Sequence, residues 1–214
     1  MKAFTPYARH SPYCCTHTGP LPGRSMDALL TSTLIVALAE MGDKTQLLAI
    51  ILATRFRRPL PIIAGILAAT LANHALAAFA GVGAASLLDG PWFRYAVAAS
   101  FVAMAAWTLI PDKAADESGQ ASRFGPFVTT CIAFFIVEIG DKTQIATIAL
   151  GAQFQSVMWV TMGTTLGMMT ANVPAVYMGT ELVKRVPLRT LQIVAALLFL
   201  GFGLWLGAET AGLI

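Results

Sequence analysis

The chain has 214 residues, a mean hydropathy of +0.70 and 12% charged residues, about half the ~25% of an ordinary soluble domain. That balance excludes a soluble globular domain, and the apolar runs are continuous rather than alternating, which argues against a β-barrel. The formal charge of +3 resides mainly in short clusters between apolar runs, so it points to membrane orientation and not to nucleic acid.

Residues 1–25, "MKAFTPYARHSPYCCTHTGPLPGRS", are rich in Pro, Gly, Ser and Thr and contain no signal-peptide core. His10, Cys14, Cys15 and His17 imitate a metal site, but adjacent cysteines do not readily share a tetrahedral zinc with those histidines. The segment reads as a disordered extension. The alternative is that translation begins at Met26, just before the first apolar run.

Six apolar stretches follow, at 27–54, 60–85, 91–111, 124–151, 156–181 and 188–210. Each meets the roughly 20 residues that a spanning helix needs. The first contains "AEMGDKTQLLAI", residues 39–50. Glu40, Asp43 and Lys44 interrupt it, at about 3 kcal/mol or more for each charge near a bilayer centre. On an unbroken helix Glu40 and Asp43 share a face, and Lys44 pairs with Glu40 one turn back. Gln46 lies about 60° round from Asp43, so its carbonyl is a candidate ligand. Thr45 projects away from the acids unless the helix breaks at Gly42, and otherwise bonds a carbonyl one turn back. Arg55, Arg57 and Arg58 close this stretch.

The second stretch carries Asn73 and His74. Asn73 is a candidate amide near the site, whereas His74 reads as a histidine bonded between helices, with a proton relay as the sharper alternative. After the third comes an acidic linker, residues 112–123. Its Asp112, Asp116 and Glu117 read as solvated. The fourth stretch repeats the charged motif as "VEIGDKTQIATI", residues 137–148, with Glu138, Asp141, Lys142, Thr143 and Gln144. Cys131 reads as a small packing residue. The fifth contributes "GTTLG" for close packing, Asn172, and a Pro174 expected to kink it. The sixth contributes "GFGLWLG". Glu181 and Glu209 lie near helix ends and read as interfacial.

A shift of 98 positions lays the chain on itself. It superposes Glu40 on Glu138, Gly42 on Gly140, Asp43 on Asp141, Lys44 on Lys142, Thr45 on Thr143 and Gln46 on Gln144. Gly65, Phe101 and Trp107 fall on Gly163, Phe199 and Trp205, and Asn73 meets Asn172 with one residue of slippage. The expected fold is therefore an all-α polytopic membrane protein of six transmembrane helices, arranged as two three-helix repeats, 26–111 and 124–214. Three is odd, so the repeats enter the membrane from opposite sides and are inverted, an architecture common among secondary transporters. The loops after the first, third and fifth helices hold most of the Lys and Arg, including Lys113, Arg123, Lys184, Arg185 and Arg189. That side is expected to be cytoplasmic, with both termini outside.

If the two motifs meet at the midplane, four carboxylates and two ammonium groups sum to −2, which a divalent cation would neutralise and protons could replace. Carboxylate and amide oxygens without clustered Cys or His suit Ca²⁺, Mn²⁺ or Mg²⁺. A structural ion pair is the bland alternative, but each motif carries a surplus carboxylate. A divalent cation channel is a second functional reading. An intramembrane aspartyl protease is a third, disfavoured because a lysine beside each aspartate opposes the shared proton such a dyad needs. No nucleotide-binding loop is present.

The pattern Glu-x-Gly-Asp-Lys/Arg-Thr/Ser, present twice in a small six-helix chain, resembles the Gdt1 family (UPF0016) of the lysine-exporter superfamily. The resemblance spans Met26 to Ile214. It implies a transporter rather than an enzyme, carrying Mn²⁺ or Ca²⁺ in exchange for H⁺, with no resident cofactor. It implies a cation site at Glu40, Asp43, Glu138 and Asp141. Gln46, Gln144, Thr45, Thr143, Asn73 and Asn172 are added as further candidates, with Lys44 and Lys142 as ion-pair partners. The partners implied are the lipid bilayer and a divalent metal ion, with no nucleic acid. The single-unit size resembles bacterial members and implies an inner-membrane location.

Overall fold

The structure, a computed structural model, describes residues 22–88, 90–110, 124–179 and 188–213. His10, Cys14, Cys15, His17, the linker 112–123, Glu181, Lys184 and Arg185 lie outside them. Among the described residues the chain is all helical. The helices are α1 Pro22–Glu40, α2 Lys44–Phe56, α3 Pro59–Leu87, α4 Pro91–Thr108, α5 Pro126–Glu138, α6 Lys142–Phe154, α7 Val157–Met178 and α8 Leu188–Thr210. The first helix begins at Pro22, inside the expected extension and ahead of Met26.

Among the described residues six runs become eight helices, because the two charged runs are broken. Gly42 and Gly140 take φ of +86° and +78°. L side chains avoid that region and glycine enters it freely. The break therefore falls at the residue that takes this conformation without strain. The copies match in backbone detail. Asp43 and Asp141 are the N-caps of α2 and α6 with φ/ψ of −79/166° and −78/162°. Arg57 and Gln155 end those helices in the left-handed conformation, φ 53° and 52°. α7 continues through Pro174 without ending.

Small residues set the packing. Each broken helix lies along the middle helix of the other copy. Gly163 and Gly167 of α7 face Leu29–Ser32 and Thr33–Ala37 of α1. A β-carbon on Gly163 would lie 2.6 Å from the Leu29 carbonyl oxygen. In the equivalent place, one on Gly65 of α3 would lie 2.7 Å from the Phe127 carbonyl oxygen of α5. Further along α3, Gly81 backs onto Ile148 of α6, and Gly151 of α6 onto Ala78. These approaches are closer than side chains permit, as at membrane interfaces held by dispersion instead of hydrophobic burial. Across the α4–α8 contact the equivalent Phe101 and Phe199 stack, centroids 6.3 Å apart.

Apolar side chains also cover the outside. Leu60, Leu71, Leu76 and Phe79 on α3, and Leu197 and Leu204 on α8, are exposed. Pro59–Leu87 and Arg189–Thr210 are long and apolar enough to cross a membrane. Cys131 is a free thiol packed at the edge of an apolar cluster with Phe134 and Ile66.

Candidate functional site

The two breaks meet inside the protein. Glu40 ends α1, Glu138 ends α5, and Asp43 and Asp141 open the half-helices that follow. All four carboxylates are buried. Oxygens of Glu40, Asp43 and Asp141 lie within 4.8 Å of one another, which groups ligands from both copies. Each break also turns the carbonyl end of one helix and the N–H end of the next toward the acids, so both partial charges of the backbone are present.

The lysines do not pair as an unbroken helix predicts. Lys44 Nζ lies 2.7 Å from Asp141 Oδ1, and Lys142 Nζ lies 2.5 Å from Asp43 Oδ1. The expected Lys44–Glu40 pairing is thus corrected. The break removes the one-turn geometry it required, and each lysine reaches the aspartate of the other copy. Surroundings differ: the Lys44 side chain is 23% exposed and that of Lys142 only 3%. The duplicated motif contained this reciprocity, but periodicity within one helix hid it.

Breaking the helices brings in the threonines. Thr45 Oγ1 donates to Glu40 Oε2 at 2.6 Å, and Thr143 Oγ1 donates to Glu40 Oε1 from the other copy. Glu138 has no hydrogen-bond partner among the described residues and lies outside the three-carboxylate group. Sequence symmetry made the two glutamates equivalent, and the structure distinguishes them.

The amide candidates bond backbone groups. Gln46 Oε1 and Gln144 Oε1 accept from Gly42 N and Gly140 N at 3.1 and 2.7 Å. Asn73 Nδ2 donates to the Phe135 carbonyl at 3.1 Å, while Asn172 Nδ2 donates to Met168 O within its own helix. Among the described residues the Oδ1 of each asparagine is buried without a partner, as are both ring nitrogens of His74.

A separate cavity of about 530 Å³ opens where the starts of α1 and α4 meet the ends of α3, α6 and α8. Asp27, Arg94, Gln155 and Glu209 line it, and none of the four motif carboxylates does. Arg94 Nη2 bonds Glu209 Oε1 at 3.3 Å.

Comparison with known proteins fits this geometry. Residues 28–116 and 126–212 match the family described as divalent cation/proton antiporter GDT1. A Vibrio cholerae protein provisionally named a manganese exporter is 53% identical over 176 residues, covering 82% of this chain and 88% of that one. GDT1-like protein 3 of Arabidopsis thaliana is 30% identical, covering 82% and 69%. A GDT1-like protein of Synechocystis is 28% identical, covering 81% and 93%. No solved structure matches the chain.

Proposed function

Since the chain belongs to the GDT1 family, whose members are divalent-cation transporters and not enzymes, we propose that it exports Mn²⁺ or Ca²⁺ in exchange for protons. The observation that carries this reading is the buried group Glu40, Asp43 and Asp141, drawn from both copies. Glu138 completes the proposed site from beside that group. Four carboxylates against Lys44 and Lys142 leave −2, which one divalent cation balances and two protons could replace. The oxygen-only donor set favours a hard cation.

The proposed architecture is six membrane spans in two inverted repeats, 26–111 and 124–214, with α1/α2 and α5/α6 each forming one broken span. Three observations support it. The Asp43–Lys142 and Lys44–Asp141 contacts are reciprocal, the mark of a two-fold relation. Phe101 meets its own equivalent, Phe199, as residues on such an axis do. The α5/α6 span runs in the direction of α3, and the α1/α2 span in that of α7, as their glycine contacts order them. Only Arg57 and Arg58 separate α2 from α3, so with α3 returning across the membrane the two spans run oppositely in the proposed topology. Arg55, Arg57 and Arg58 favour a cytoplasmic end for α2, and the proposed orientation has both termini outside an inner membrane.

A carrier fits better than an open channel, because the acids are enclosed and none of them lines the cavity. The test is uptake of Mn²⁺, Ca²⁺ and Mg²⁺ by reconstituted vesicles under an imposed pH gradient. Saturable Mn²⁺ or Ca²⁺ movement, with opposite proton movement, is expected. Asp43→Asn and Asp141→Asn should abolish it, and unimpaired transport in both would reject the site.

A further inference from the structure

We propose that Gln46 and Gln144 are positioning residues that close the two helix breaks and so aim the carboxylates. The proposal rests on the site reading above. Each glutamine is the third residue of its half-helix, counting from Lys44 or Lys142. From there its side chain reaches back over the break to the glycine N–H. The arrangement resembles a capping box displaced by one residue, since the acceptor serves the residue before the N-cap. The need is physical. At a break the glycine N–H loses its place in the helical ladder, and the membrane interior supplies no water to replace it. A glutamate would meet the same N–H but would add a third carboxylate to that copy.

The amide has a donor end as well. Gln46 Nε2 donates to the Ala171 carbonyl of α7 at 3.1 Å. One side chain thus fastens the turn between Glu40 and Asp43 to the opposite copy, beside Asn172. Gln144 makes only the glycine bond among the described residues. The first break is therefore tied to the other copy through its glutamine, and the second is not. This assigns the glutamines to holding the site, in place of ligating the ion.

Hydrogen exchange read by mass spectrometry on metal-free full-length protein in nanodiscs tests it, using peptides over 39–47 and 137–145. Gln46→Met, close in shape but without hydrogen bonds, should speed exchange in the first peptide about tenfold and leave the second unchanged. Gln144→Met should do the converse. Gln144→Glu keeps the acceptor of the one bond Gln144 makes among the described residues and should retain protection in the second peptide. In vesicle uptake, Gln46→Met should raise the KM for Mn²⁺ about tenfold. Unchanged exchange in both methionine variants would overturn the proposal and return the side chains to the ion. Should Gln46→Met loosen every peptide, Gln46→Asn, too short to reach Gly42, decides by the same local readout. Exchange is measured without metal, so a wild-type protein that moved no Mn²⁺ would sink the transport reading and leave this one standing.

Discussion

Removing Lys142 is predicted to destabilise the protein more than removing Lys44. Lys142 Nζ sits 2.5 Å from Asp43, and the two side chains are 3% and 0% exposed. Lys142→Met would leave Asp43 buried and uncompensated. Orphaning one member of a buried pair costs about 3–5 kcal/mol. At about 2–4 °C per kcal/mol for a chain of this size, Tm should fall by roughly 10 °C in a thermal-melt assay of purified protein. Lys44 is 23% exposed, so its pair with Asp141 is partly screened. Lys44→Met should cost about half as much. Adding Asp43→Asn to Lys142→Met removes the orphaned charge and should recover most of the loss, a coupling of about 2 kcal/mol or more. The parallel cycle with Glu138→Gln should show little coupling. Coupling of Lys142 to Glu138 in place of Asp43 would refute the cross-copy pairing and restore the one-turn pairing of an unbroken helix.

Three further outcomes are expected. Gly163→Leu should push α7 from α1, because even a β-carbon there meets the Leu29 carbonyl at 2.6 Å; Gly65→Leu should do the same to α3 and α5. Overpacking costs about 1–3 kcal/mol, so equal falls in Tm are predicted, and a large inequality would contradict the equivalence of the two contacts. Gly140→Ala meets no atom within 4 Å, so its cost is conformational, about 1–2 kcal/mol at φ +78°. Asn tolerates that region better, and a Gly140→Asn protein as unstable as Gly140→Ala would argue against strain as the cause. Thr143→Val should impair Mn²⁺ uptake more than Thr143→Ser, since only the serine keeps the bond to Glu40. Equal activity of the two would remove the hydroxyl from the site.

Much of this was legible in the residues. Six apolar runs gave the helices to within a few positions at most ends, and the 98-residue shift found equivalences that extend to cap angles. Gly42 and Gly140 were the marked places for a break, because the threonines reach the acids only if the helix opens there, and both glycines take a positive φ. What one-dimensional reading missed were the contacts between copies. Helical periodicity ranks neighbours within a helix, so it offered Lys44 the nearby Glu40 and not Asp141. It offered the glutamine carbonyls to a cation without showing the glycine N–H they meet, which is left open only once the helix has broken. The difference between Glu40 and Glu138 could not be read at all. Identical motifs carry no record of which copy receives both hydroxyls.

The exchange of lysines between copies has a consequence for biosynthesis. When Asp43 and Lys44 enter the membrane, the residues that neutralise them have not been translated; their partners lie almost half the chain away, at Lys142 and Asp141. The first half must therefore wait with its charges unsatisfied, held near the interface, protonated or guarded by the insertion machinery. Only the arrival of the second break lets it settle. A ribosome stalled between the copies should thus yield a short-lived fragment, and supplying residues 124–214 as a separate chain should rescue it.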